Sequence, residues 1–172
     1  NGSWYYVTGV TDNINMKIYV NGVLAGSQAF SAGIFNASSA PVDIGKTDDD
    51  GGASRSYFNG VIDEATISKI DRSADWVKLN YETQKSGSTV ISIGNRSADY
   101  TNSLRLNFNT TNTGGGANVA GSVTNFPLLV RLSSSNFNFS VTRNDASDIH
   151  FVDKDGSYLY HEVVEWDKGN SI

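Results

Sequence analysis

The dipeptide Asn21-Gly22, set between the runs Met16–Val20 and Val23–Ala25, constrains this chain more than any other local feature. A two-residue hairpin turn of type I′ needs positive φ at both central residues, and Asn followed by Gly accepts that conformation at least steric cost. A hairpin therefore belongs at residues 16–25. The surrounding sequence has the same grammar of short apolar runs between polar turns. Trp4–Val10 reads as a strand, Thr11–Asn15 as a polar turn, Gln28–Ile34 as a weaker strand and Val42–Gly45 as a short buried one. Tyr57–Ile70 holds two strands, broken near Gly60 or around Asp63-Glu64. Ser73 is placed to cap a short helix from Ala74 to about Thr83, with Trp76, Leu79 and Tyr81 as its apolar contacts.

Beyond Lys85 the character changes. Ser86-Gly87-Ser88 precedes a small strand over Thr89–Ile93. Leu104, Leu106 and Phe108 alternate with polar residues, as a half-buried strand should. Phe126–Leu132 is a strongly apolar strand. Asp148–Val152 and Tyr158–Trp166 form a second hairpin around Asp153-Lys154-Asp155-Gly156. The organisation expected is a first domain over 1–86, a linker over 87–98 and a second domain over 99–172.

Composition supports many strands and excludes some functions. Of the 172 residues, 38% are hydrophobic and 18% charged, which suits a folded core and not a disordered chain. Seventeen glycines against two prolines imply many tight turns. A net charge of −5, with Lys and Arg scattered singly, offers no basic face for phosphates, so no nucleic acid partner is expected. The absence of cysteine favours an exported protein without a disulfide framework. No apolar run approaches the ~20 residues of a membrane span, so direct membrane insertion is not expected. A chain opening on Asn1 reads as a processed product or a piece of a longer protein.

Two ordered sets of motifs point to known families. Trp4-Tyr5-Tyr6-Val7-Thr8-Gly9-Val10, Lys17-Ile18-Tyr19-Val20-Asn21-Gly22, Val42-Asp43-Ile44-Gly45 and Tyr57-Phe58-Asn59-Gly60-Val61-Ile62-Asp63-Glu64-Ala65 occur in succession. With the short helical tail at Ser73–Glu82, residues 4–85 resemble the C-terminal half of a laminin-G-like domain of the concanavalin A-like superfamily. Phe126–Leu132, Ser147–Val152 and His161–Asp167 carry the second likeness. Through them residues 99–167 resemble the start of an uncharacterised bacterial domain family that accompanies laminin-G-like domains in large surface proteins. The resemblance implies an all-β jelly-roll sandwich with one short helix near 74–83, plus a second β-rich region. Both domains look incomplete, with further strands expected before Asn1 and after Ile172. Half a sandwich leaves edges and apolar surface open. The missing halves are expected from another chain, from other parts of the parent protein, or from pairing of the two halves within this chain.

The chemical candidates are few. Laminarinase-type enzymes of this superfold carry two glutamates flanking an aspartate along one strand. Asp63 and Glu64 are adjacent, so on a strand they would face opposite sides, and that triplet is absent. The loop Asp48-Asp49-Asp50-Gly51-Gly52 is the candidate calcium site, since calcium takes six to eight oxygen ligands. Asp12, Asn13 and Asn15 form another oxygen-rich turn. Asp153-x-Asp155-x-Ser157 imitates an EF-hand opening, but Tyr158 and Val164 stand where its Gly and Glu belong, so a hairpin turn is the better reading. His150 and His161 lie on neighbouring strands without a convincing third zinc ligand. Gly114-Gly115-Gly116 opens no helix and reads as a flexible loop, not a phosphate cradle. Trp4, Tyr5, Tyr6, Tyr57, Tyr158, Tyr160 and Trp166 could stack on sugars, although strand aromatics mostly serve packing. Asn-x-Ser/Thr triplets occur at Asn1, Asn36, Asn95, Asn109 and Asn138.

The function expected is a non-catalytic binding or adhesion module of an exported bacterial surface protein, taking carbohydrate or a cell-surface protein as partner, with calcium as the one cofactor candidate. The alternatives are a structural subunit or spacer completed by neighbouring strands through self-association, and a glycoside hydrolase.

Overall fold

The structure, a computed structural model, describes residues 2–12, 14–29, 42–48, 55–94 and 102–170. Two compact units divide the chain, Asn1–Val77 and Lys78–Ile172. The fold is all-β in class: antiparallel sheets, one short α-helix and one 3₁₀ turn make up the regular structure of the described residues.

In the first unit β1 (Val7–Thr11), β2 (Asn15–Val20) and β3 (Val23–Ala29) form an antiparallel sheet in the order β1-β2-β3. The hairpin expected at Asn21-Gly22 joins β2 to β3. Asn21 has φ 51° and Gly22 φ 76°, the left-handed pair that a type I′ turn demands. The turn is also tied across the sheet: the Tyr6 amide donates to Asn21 Oδ1 at 3.0 Å, and the Asn21 amide donates to the Tyr6 carbonyl at 2.8 Å. Between Ile18 and Tyr19 the register shifts, because Ile18 faces Gly26 while Tyr19 faces Leu24. Ala25 is the extra residue of this bulge.

β4 (Lys46–Asp48) pairs with β5 (Arg55–Tyr57), Lys46 opposite Tyr57 and Asp48 opposite Arg55. The strand expected at 42–45 thus forms a few residues later, and Val42 and Ile44 are exposed. Gly45 at φ 77° turns the chain immediately before β4, which keeps residues 42–45 out of the ladder. Neither of the two strands expected within 57–70 forms: Tyr57 ends β5, and residues 58–70 join no ladder. Glu64 sits at φ 52° and its amide donates to Asp63 Oδ1, a local turn that takes the backbone out of extended geometry.

Helix α1 (Ala74–Gln84) follows, and it starts where its cap dictates. Ser73 Oγ accepts from the Trp76 amide at 3.1 Å, and the Ser73 carbonyl accepts from Val77 at 3.0 Å. Leu79 is buried as expected, and Trp76 and Tyr81 are half-buried.

In the second unit β6 (Ile91–Ile93) pairs with β7 (Leu106–Phe108). Beside them Leu79, Val90 and Ala117 form a buried cluster, flanked by Val119, Val123 and Phe126. The Phe108 and Phe126 rings stack at 6.4 Å. Phe126–Leu132 is irregular instead of a strand. A second aromatic cluster joins Phe137, Phe139 and Trp166, with centroids 5.0 to 6.2 Å apart. β8 (Phe151–Val152) and β9 (Tyr158–Leu159) make the expected second hairpin, only two pairs long.

The Gly114–Gly116 segment is a tight turn, not a loose loop. A Cβ at Gly115 would lie 2.2 Å from Thr89 Oγ1, and one at Gly116 would lie 2.4 Å from the Thr111 carbonyl oxygen. Thr89 donates to the Gly115 carbonyl at 2.9 Å, and the Asn109 carboxamide donates to the Thr113 carbonyl at 2.8 Å. Only residues without side chains fit so close to the Thr89 hydroxyl and the Thr111 carbonyl.

Candidate functional site

The acidic loop singled out as a calcium candidate lies at the β4–β5 connection. Asp48 closes β4 opposite Arg55. The Asp48 side chain, Asp49 and Asp50 lie outside the described residues. Among the described residues no three acidic, histidine or cysteine side chains converge as a metal cluster.

The second oxygen-rich turn is closed by its own hydrogen bonds. Asp12 Oδ1 accepts from the amides of Ile14 (3.0 Å) and Asn15 (2.7 Å), while Oδ2 meets Lys17 Nζ at 2.6 Å. The Lys17 ammonium, followed by the two amides, holds the Asp12 carboxyl well below the usual carboxylate range. The same bond raises Lys17. This carboxylate fastens the β1–β2 turn, and both its oxygens are engaged. Asn13 is outside the described residues.

Asp63 and Glu64 share an irregular, exposed stretch instead of a strand. Asp63 Oδ1 binds the Glu64 amide at 2.9 Å. The Asp153 carboxylate closes the β8–β9 turn by accepting from the amides of Asp155 (2.8 Å) and Ser157 (2.9 Å), with Gly156 at φ 83°. His150 and His161 do approach, with ring centroids 6.4 Å apart and edge-on, but His150 also packs against Tyr158 and His161 against Phe151. Two of the Asn-x-Ser/Thr asparagines serve the backbone. Asn109 holds the glycine turn, and Asn138 Oδ1 caps the 3₁₀ turn Phe139–Val141 by accepting from Ser140. Asn1, Asn36 and Asn95 are outside the described residues.

The aromatics divide. Trp166 packs against Phe137 and Phe139, and Tyr6 is half-buried. Trp4, Tyr5 and Tyr57 in the first unit, and Tyr158 and Tyr160 in the second, are exposed.

The broadest surface feature is a sheet face. The β1–β2–β3 register puts Val7, Val20, Ile18, Met16 and Val23 on one side. Val7 is 59% exposed, Ile18 47% and Val23 67%, whereas Tyr19 on the other side is 5% exposed. Which of the two faces would be covered was not legible, because both carry apolar residues.

The comparisons with known proteins address the first unit. A laminin G family model, described as the concanavalin A-like lectin/glucanases superfamily, matches residues 1–78, fewer than half of the chain. At the level of that superfamily the likeness is to a binding module. No curated protein and no solved structure matches the chain.

Proposed function

We propose that this chain is a non-catalytic binding module of an exported bacterial surface protein, recognising carbohydrate or a cell-surface partner. The observation that carries this reading is the match of residues 1–78 to a superfamily described by its lectins and glucanases. Fold-level likeness predicts architecture better than ligand, so the partner class rests on side chains. Trp4, Tyr5 and Tyr57 present exposed rings of the kind that stack on sugar faces. The non-catalytic reading rests on Asp63 and Glu64. They are sequence neighbours in an irregular stretch, with Asp63 Oδ1 accepting from the Glu64 amide. Export is supported by the lack of cysteine. The acidic loop at Asp48–Asp50 is the calcium candidate within this reading. The resemblance of residues 99–167 to a companion domain of large surface proteins fits the same role.

A glycan array run with and without calcium tests the proposal. Binding of at least one glycan class, weakened by Trp4→Ala or Tyr57→Ala, is the expected result. Silence of the intact parent protein under both conditions would count against it. Polysaccharide hydrolysis that disappears with Asp63→Asn would replace it with an enzyme.

A second reading is favoured by the uncovered apolar face of β1–β3. A structural subunit whose sheet is completed by strands of a neighbouring chain would bury Val7, Ile18 and Val23. Size measurement separates the two: concentration-dependent assembly supports the subunit, and a monomer at all concentrations removes it.

A further inference from the structure

The chain contains three Asn-Gly dipeptides, at 1–2, 21–22 and 59–60. In any of them the glycine nitrogen can attack the asparagine carboxamide, since no side chain on the following residue obstructs the approach. Two of the three have described asparagines, and the structure treats those two in opposite ways.

Asn21 is held. Its Oδ1 accepts the Tyr6 amide at 3.0 Å, its own amide donates to the Tyr6 carbonyl, and Val20 pairs with Val23 on either side of the turn. Gly22 is buried. Swinging the Asn21 carboxamide over the Gly22 nitrogen would break the Tyr6 bond inside a turn clamped by both strands. Asn59 is exposed and belongs to no helix or strand. Neither its carboxamide nor the Gly60 amide has a hydrogen-bond partner among the described residues. Only the preceding residue is anchored, through the Phe58 amide to the Gly45 carbonyl at 2.8 Å. The nucleophile and the carbon it attacks are therefore both free.

We propose that Asn59 is a site of spontaneous deamidation, from which Asn21 is protected by the fold. The Gly60 nitrogen loses its proton and forms a bond to Asn59 Cγ. The bond from Cγ to Nδ2 breaks, and Nδ2 leaves as ammonia. The succinimide so formed takes up one water across either of its imide bonds, giving an aspartate or an isoaspartate at position 59. No electrons change hands. One negative charge appears four residues before Asp63, and the isoaspartate product lengthens the backbone by one carbon.

Incubation of the folded chain at mildly alkaline pH, followed by tryptic mapping, reads this directly. Asn59 lies in the peptide Ser56–Lys69 and Asn21 in Ile18–Lys46. The amide-to-acid mass gain should accumulate in Ser56–Lys69 about tenfold faster than at Asn21, the factor expected when one route must first break a hydrogen bond. In denaturant the two rates should converge. Isoaspartate-specific methylation should label the same peptide, and Asn59→Gln should abolish both signals. That variant is chosen because a Cβ at Gly60 would lie 2.7 Å from the Phe58 ring, so Gly60→Ala would disturb the fold. Equal rates in the folded chain, or faster conversion at Asn21, would overturn the proposal.

Discussion

Asp12 shows how much one side chain can settle. Two amides and the Lys17 ammonium all favour its ionised form. Its folded pKa is therefore depressed below the ordinary 3.8. A depressed carboxyl contributes stability that is present above the unfolded pKa and lost as pH falls through the folded one. Thermal midpoints measured downward from that ordinary value should fall, and Asp12→Asn should flatten this acid limb; parallel profiles in variant and parent would refute the assignment. Ser73 is a simpler case. Ser73→Ala removes the oxygen that receives the Trp76 amide and should cost about 1 kcal/mol in chemical denaturation. Ser73→Gly should lose only a few tenths of that unit. Both residues were readable in advance, Ser73 as a cap and Asp12 as part of a polar turn. The three bonds to Asp12 were not, because they depend on how tightly the β1–β2 connection closes.

At the scale of elements, local chemistry placed whatever was decided by a turn or a cap. Asn21-Gly22, Ser73–Gln84 and Asp153–Gly156 formed where their residues said they would. The segments that differed are those whose identity depends on a neighbour. Phe126–Leu132 has the composition of a buried strand, but its backbone joins no ladder. Arg131 instead reaches the Thr83 carbonyl at 3.3 Å. Gly114–Gly116 reads as loose from its glycines, yet at Gly115 and Gly116 a side chain would run into Thr89 and Thr111. Gly116→Ala should therefore destabilise the second unit by about 2 kcal/mol or more, since backbone atoms stand where the Cβ would go. Urea denaturation followed by Trp166 fluorescence would measure it.

For the molecule as a whole, apolar side chains fall into two energetic classes. Leu79 is 2% exposed within the cluster of Val90 and Ala117, so Leu79→Ala should cost about 2–5 kcal/mol. Ile18, on the open face of β2, is half exposed, and Ile18→Thr should change stability by only about 0.5 kcal/mol. The same Ile18→Thr substitution should lower the binding of a hydrophobic dye, and any self-association along with it. A large loss of stability from Ile18→Thr would show that its face is already covered.

The sequence alone determined the all-β class, the hairpin, the helix with its cap and the likeness of the first unit to concanavalin A-like modules. These follow from φ preferences, hydrogen-bonding side chains and alternation, all of which act within a few residues. The tertiary structure alone decided which apolar face stays open, which strands find partners, and which Asn-Gly pair is held still. Those outcomes depend on backbone groups and side chains far apart along the chain, whose meeting no local pattern specifies.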